Sequence, residues 1–356
     1  MENLKNRIVY ADLLRIIASF AVIVLHVSTA KWYDSPTKEY NWQIFNIYDS
    51  LVRWSVPVFV MLSGMFFLNP NKEVDLNKII HKYILRIVFA IIFWGIFYQF
   101  SEIFGKFILS HQPITMKKVL VAFATIPFGP AWYHLWYLYM LVGLYLLIPL
   151  YRIFTKNATE KQYQYLLFLF CIFGLCLPFI KDTLQYFDSR LKINFEVAEL
   201  VNYSGYFFAG YYFSKYHVSK KMRITIYILA ICSFIFTILG TAYISIKNTK
   251  PYGYLHGNLL PTTMVEAFAI FTFIKSIFEK KEISKKSFNI ISQLGTCTFG
   301  IYLIHDLIMT VVFKIGITSD FVNPLFAVPL TSFLIFCISF FVIFLCRKIS
   351  ISKYIM

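Results

Sequence analysis

Apolar residues fall in blocks of 16–25 separated by short polar stretches, a spacing that matches helices crossing a hydrocarbon layer about 30 Å thick. The blocks predict ten spans, at 8–30, 48–68, 83–105, 132–151, 164–181, 198–213, 224–245, 261–278, 289–313 and 326–346. The sixth is the shortest. The longest connection, 106–131, is apolar and holds Pro113, Pro127 and Pro130, so it reads as a segment able to dip back towards the membrane rather than a free loop. No linker, low-complexity tract or internal repeat divides the chain, and the expectation is one membrane domain over residues 1–356. The predicted fold class is an all-α polytopic membrane protein of about ten transmembrane helices.

Composition agrees with that pattern. The chain is 58% hydrophobic and 20% aromatic, with 39 Phe and 25 Tyr suited to lipid-facing surfaces and interfacial belts. Mean hydropathy is +0.64. The net charge of +16 sits in short runs between apolar blocks, which assigns it to membrane loops and excludes nucleic acid as the partner. Loops on the side of the N-terminus hold twenty Lys and Arg, and the opposite loops eleven, so both termini are expected in the cytoplasm. Lys5 and Arg7 before an apolar run ending in Ser28-Thr29-Ala30 resemble a signal peptide, but Asp12 and Arg15 interrupt the run. It is read as a retained helix. The six cysteines lie in or beside apolar blocks without metal-ligand spacing, and no metal site is expected.

Candidate chemistry concentrates in the first span. Asp12, Arg15 and His26 stand among apolar residues, and an ionised side chain near the middle of a span costs roughly 2.5–3.5 kcal/mol on insertion scales. Arg15 and His26 are eleven residues apart, which puts them on one helical face, roughly 16 Å apart along the axis, with Ser19 between them. A helix lining a buried, hydrated path would carry such a stripe. Blander readings remain open: Asp12 with Arg15 as an ion pair between helices, and His26 as a hydrogen-bonded core residue.

Further along, Arg53 precedes Pro57, Ser63 and Gly64 in a span able to bend, and an interfacial anchor is the alternative for this arginine. Lys82 and Arg86, four apart at the start of the third span, suit a phosphate-bearing ligand or simple anchoring. His134 and Trp136 open the fourth span within an aromatic belt. Glu266 is an isolated acid in the eighth span, a functional candidate or a counter-ion for Arg53 or Arg15. In the ninth, Thr298, Tyr302 and His305 share a face.

These residues resemble the acyltransferase-3 family of integral membrane acyltransferases, and within it the enterobacterial-common-antigen O-acetyltransferase type. Asp12-x2-Arg15-x10-His26 is similar to the family's first-helix signature. Arg53 with Val56-Pro57-Val58-Phe59 and Ser63-Gly64 is similar to its second-helix motif, and His134-Leu135-Trp136-Tyr137 to its His-Leu-Trp-aromatic motif. The run from Ser292 to His305 resembles its late-helix motif. The resemblance implies acetyl or another acyl group moving from cytoplasmic acyl-CoA to a hydroxyl of an extracytoplasmic glycan or lipid-linked sugar. It places the protein in the bacterial cytoplasmic membrane, beside surface-polysaccharide assembly proteins. His26 would be the catalytic base, with Asp12 and Arg15 shaping the donor path and Arg15, Lys82 and Arg86 meeting the donor's phosphates. Arg53, Ser63, His134, Trp136, Glu266, Tyr302 and His305 would hold the acceptor or the oxyanion. A transporter of a sugar, glycan or amino acid is the competing class, disfavoured by the missing repeat. A purely structural partner of a polysaccharide synthase is a third.

Overall fold

The structure is a computed structural model that describes residues 7–72, 75–110, 115–188, 202–279 and 281–348. Among these residues every regular element is helical, and nine helices are long and apolar enough to cross a membrane. Ten spans were expected. The difference lies at the sixth, 198–213, where the described chain forms only α10 (Ser204–Lys215). Twelve residues rise about 18 Å, short of a full crossing. Residues 198–201 lie outside the described segments, as do Lys5, Pro113, Arg190, Lys192, Lys280, Lys353 and both chain ends.

The chain forms two compact units, residues 1–66 with 158–342, and residues 67–157 with 343–356. In the first, α1 (Val9–Trp32) packs along α13 (Lys285–Lys314) and α12 (Pro261–Phe278). The second predicted span is broken in two, α2 (Tyr40–Leu51) and α3 (Ser55–Phe67), with Arg53 in the turn between them. Pro57 explains the break: its ring would clash with the carbonyl of residue 53 in a continuous helix, whereas the first turn of a new helix accepts proline. The fifth span is also composite, α8 (Glu160–Leu169) and α9 (Leu177–Phe187) flanking a wide turn at Phe170–Cys176.

Glycine permits the closest helix contact. A Cβ on Gly64 of α3 would fall 1.7 Å from the carbonyl oxygen of Phe207, and one on Gly210 of α10 would fall 1.8 Å from that of Met61. The two helices therefore cross backbone against backbone, which only residues without side chains allow.

Contacts define the two ends of this unit. At one end the Tyr10 hydroxyl lies 3.7 Å from Met65 Sδ, the Tyr163 ring lies 5.7 Å from that of Tyr211, and Lys275 Nζ donates to Phe213 O. Lys215, Lys220, Lys221 and Arg223 stand at this basic end, with α11 (Lys220–Lys247) starting there. At the far end Trp32 stacks near Trp42 and His256, and Tyr186 meets Tyr252. Helix α10 starts part-way, where Tyr206 donates to Asn258 O, and finishes at the basic end.

The second unit holds α5 (Leu85–Ser110), α6 (Met116–Ala124) and α7 (Trp136–Asn157). The connection expected to be more than a loop contains α6 and a tight turn at Ile126–Phe128, whose carbonyl at Ile126 accepts from Tyr139 at 2.5 Å. Arg152 ties α7 to the chain after α3 by donating to the carbonyls of Phe67, Asn69 and Lys72.

Candidate active site

Helix α1 carries polar side chains at two levels of the first unit. Near the basic end, Asp12 is buried and receives two hydrogen bonds from Arg7, at 2.6 and 2.5 Å, and one from Arg15 at 3.1 Å. The predicted Asp12–Arg15 pair is therefore present, but Arg7 is the stronger partner, gripping both carboxylate oxygens as a planar guanidinium can. This level is possible because Gly295 of α13 lies against it: a Cβ there would come within 2.9 Å of Asp12 Cγ and Oδ1. The Arg15 guanidinium sits over the ring of Phe66, 4.6 Å from its centroid, and keeps 29% of its side-chain surface. Ser19, one turn on, is buried.

Three turns above Arg15, the His26 ring stacks on that of His305 from α13, with centroids 5.2 Å apart and planes 26° apart. His305 is fully buried, and its Nδ1 lies 2.6 Å from the carbonyl oxygen of Tyr302. A carbonyl only accepts, so Nδ1 carries hydrogen and the neutral ring holds its lone pair on Nε2. His26 lies deep among the helices and within electrostatic reach of His305, Arg53 and Asp49. It nevertheless keeps some accessible surface.

Arg53 is set by a network that sequence reasoning missed. Its Nη2 donates to Asp49 Oδ2, and the same oxygen lies 2.8 Å from His256 Nδ1. Arg53 Nη2 also lies 3.2 Å from that nitrogen, but the shorter contact is to a carboxylate, which can only accept, and this places hydrogen on His256 Nδ1 and leaves Nε2 to accept from Ser50 Oγ at 3.1 Å. Thr29 of α1 donates to the other carboxylate oxygen at 3.3 Å. Asp49, Ser50 and His256 are almost entirely buried. Arg53 is thus no interfacial anchor; it is a pinned cation whose Nε, also buried, has no hydrogen-bond acceptor among the described residues.

Glu266 of α12 is 1% exposed, within electrostatic reach of Arg53, yet neither carboxylate oxygen has a hydrogen-bond donor among the described residues. It is not the counter-ion of Arg53, a place Asp49 takes, nor of Arg15, which pairs with Asp12. A carboxylate buried without a donor is costly unless something else supplies one. Tyr302 and Ser63 are partly buried, with the Tyr302 ring 6.1 Å from that of His305.

The remaining predicted site residues belong to the second unit. His134 is buried, its ring edge-on to Tyr98 at 5.3 Å, and Tyr98 stacks on Trp132 at 5.2 Å; Trp136 is partly buried beside them. Lys82 is exposed near the Tyr83 ring, and Arg86 is also exposed. The wide helical turn at Ile79–Ile84 alters the four-residue spacing on which their shared face depended. Among the described residues no cluster of three or more His, Cys, Asp or Glu is arranged to hold a metal ion.

Of the predicted residues, the first unit brings together His26, His305, Arg53 and Glu266 at one level and Asp12 with Arg15 at the other. Asp49, Ser50 and His256 were missed because none of them stands inside a predicted motif. A family model described as an acyltransferase domain matches residues 8–347, nearly the whole chain, from the start of α1 to just beyond α14 (Pro324–Cys346). No curated protein and no solved structure shows a significant match. With two buried polar levels on one apolar bundle and this match across both units, the chain belongs to the acyltransferase-3 family and is a membrane acyltransferase.

Proposed function

We propose that the protein moves an acetyl group, or a similar short acyl group, from acyl-CoA at the basic end to a hydroxyl of a glycan or lipid-linked sugar at the far end. The basic end is then cytoplasmic, as the excess of Lys and Arg in its loops supports, and the membrane is the bacterial cytoplasmic membrane. The observation that carries this reading is the stacked His26–His305 pair in reach of Arg53, three turns along α1 from the Arg7–Asp12–Arg15 cluster. One level suits an anionic donor. The other suits proton transfer.

In this reading Arg15, with Arg7, meets the donor's phosphates, and the thioester arm lies along α1 towards His26. Neutral His26 takes the proton of the acceptor hydroxyl, and the alkoxide forming there attacks the thioester carbonyl. The oxygen of the tetrahedral intermediate takes the negative charge, for which the Arg53 Nε–H supplies a buried donor without an acceptor of its own. The C–S bond then breaks, the ester leaves with the acceptor, and the departing thiolate takes the proton held by His26. Glu266 accepts hydrogen bonds from neighbouring hydroxyls of the acceptor, which would supply the donors it lacks. His305 stacks on the His26 ring and fixes its orientation. Asp49, His256 and Ser50 hold Arg53.

Labelled acetyl-CoA supplied to proteoliposomes on the basic side tests this. Label should appear in ester linkage on acceptor glycan at the opposite face, with free CoA released in equal amount. The broken α2–α3 helix supports a second reading, since transporters place substrate at such breaks. Acceptor counterflow that needs no CoA, with no ester formed, would favour transport.

A further inference from the structure

The basic end holds a cavity that the acyl-transfer reading does not use. It has a volume of about 200 Å³ and lies among the end of α10, the start of α11 and the last turns of α12. Tyr216, His217, Arg223, Lys275 and Glu279 supply its polar wall. Lys275 is 9% exposed and is held in place by the carbonyls of Phe213 and Ser214, at 2.8 and 3.0 Å. Those bonds cap the last turn of α10, while Glu279 lies 3.4 Å from the same ammonium. Lys275 and Glu279 offset each other in charge. Arg223 has no such offset: its Nε is buried without an acceptor among the described residues. Lys220 and Lys221 adjoin it on the first turn of α11.

We propose that this cavity binds a phosphate group. A buried guanidinium N–H with no acceptor, in a cavity whose wall carries two cations against one acid, fits a tetrahedral oxyanion that accepts a charge-assisted hydrogen bond. Tyr216 and His217 line the same wall. Basic pockets between membrane helices recognise phosphate in this way. The phosphate has two sources of the same chemistry. One is a soluble adenosine phosphate such as the nucleotide end of the acyl donor, and Tyr10 at the start of α1 lies within electrostatic reach of Glu279 on the cavity wall. The other is the headgroup of an anionic phospholipid in the adjoining leaflet. The site does not depend on the His26 chemistry, and its test reads binding, so either reading can fail without the other.

The test uses the full-length protein in phosphatidylcholine nanodiscs. Adenosine 3′,5′-bisphosphate is titrated in one arm, and phosphatidylglycerol replaces part of the lipid in the other, with thermal unfolding and calorimetric binding as readouts. Wild type is expected to be stabilised in at least one arm, and the arm that responds identifies the source. Arg223→Gln should weaken the responding interaction about tenfold or more while melting like wild type in phosphatidylcholine alone. His217→Ala, which leaves Lys275 and the α10 cap intact, should weaken it less and carries the test should Arg223→Gln fail to fold. No response of wild type in either arm overturns the proposal. So does an undiminished response of the folded variants.

Discussion

Replacing Asp49 with Asn should be among the most damaging single changes outside α1. The carboxylate is fully buried and is the acceptor for Arg53 and His256, with Thr29 on its second oxygen. Asn keeps the shape but removes the charge, and turns one oxygen into an NH2 that must face Arg53 or the His256 N–H. Two unit charges about 4 Å apart attract by about 4 kcal/mol at an effective dielectric near 20. Removing one partner of a buried pair leaves the other desolvated and uncompensated, a loss of about 3–5 kcal/mol. Arg53 keeps only 16% of its side-chain surface, so water cannot easily restore what is lost. Unfolding in mixed detergent–SDS micelles reads the effect, with Arg53→Met and the double variant completing a cycle. The double variant should be more stable than the sum of the single changes by about 2–3 kcal/mol. Asp49→Asn unfolding like wild type, or strictly additive effects, would refute the view of Arg53 as a pinned buried cation.

Other consequences are equally concrete. Glu266→Gln should raise the acceptor KM about tenfold with little change in kcat, and should leave the melting temperature close to wild type, since the carboxyl it replaces has no hydrogen-bond donor among the described residues. Gly295→Ala should lose about 1–3 kcal/mol of stability and raise the donor KM, because the new methyl forces Asp12 away from Arg7 and Arg15; steady-state kinetics and a melt together check it. Gly210→Ala drives a methyl into the main chain of Met61, so expression should yield little folded protein by size-exclusion chromatography.

The helical class and most of the spans were legible in the sequence because long apolar blocks leave a membrane chain few alternatives. The short α10 was not, since a half-length helix and a full crossing share one composition and differ only in where neighbours stop them. The stripe from Arg15 to His26 was legible because helical spacing alone fixes a shared face. The stacking of His26 on His305 joins residues far apart in sequence, and only packing reveals it. The Asp49–Arg53–His256 network was hidden for a similar reason. Its arginine was visible, but its partners lie in a stretch of α2 and a short turn that no periodicity singles out. Arg7 gripping Asp12 also went unseen, because a basic residue ahead of a first span reads as a topology signal. The regular spacing assumed for Lys82 and Arg86 does not hold across the wide turn at Ile79–Ile84, which no periodicity in the sequence announces.

The central claim is that the outer level of α1 performs the proton transfer, and the rate of acyl transfer by His26→Ala in proteoliposomes tests it most directly. The account predicts a fall of about 10²–10⁴-fold in a protein that still melts like wild type. Transfer at close to the wild-type rate would contradict it.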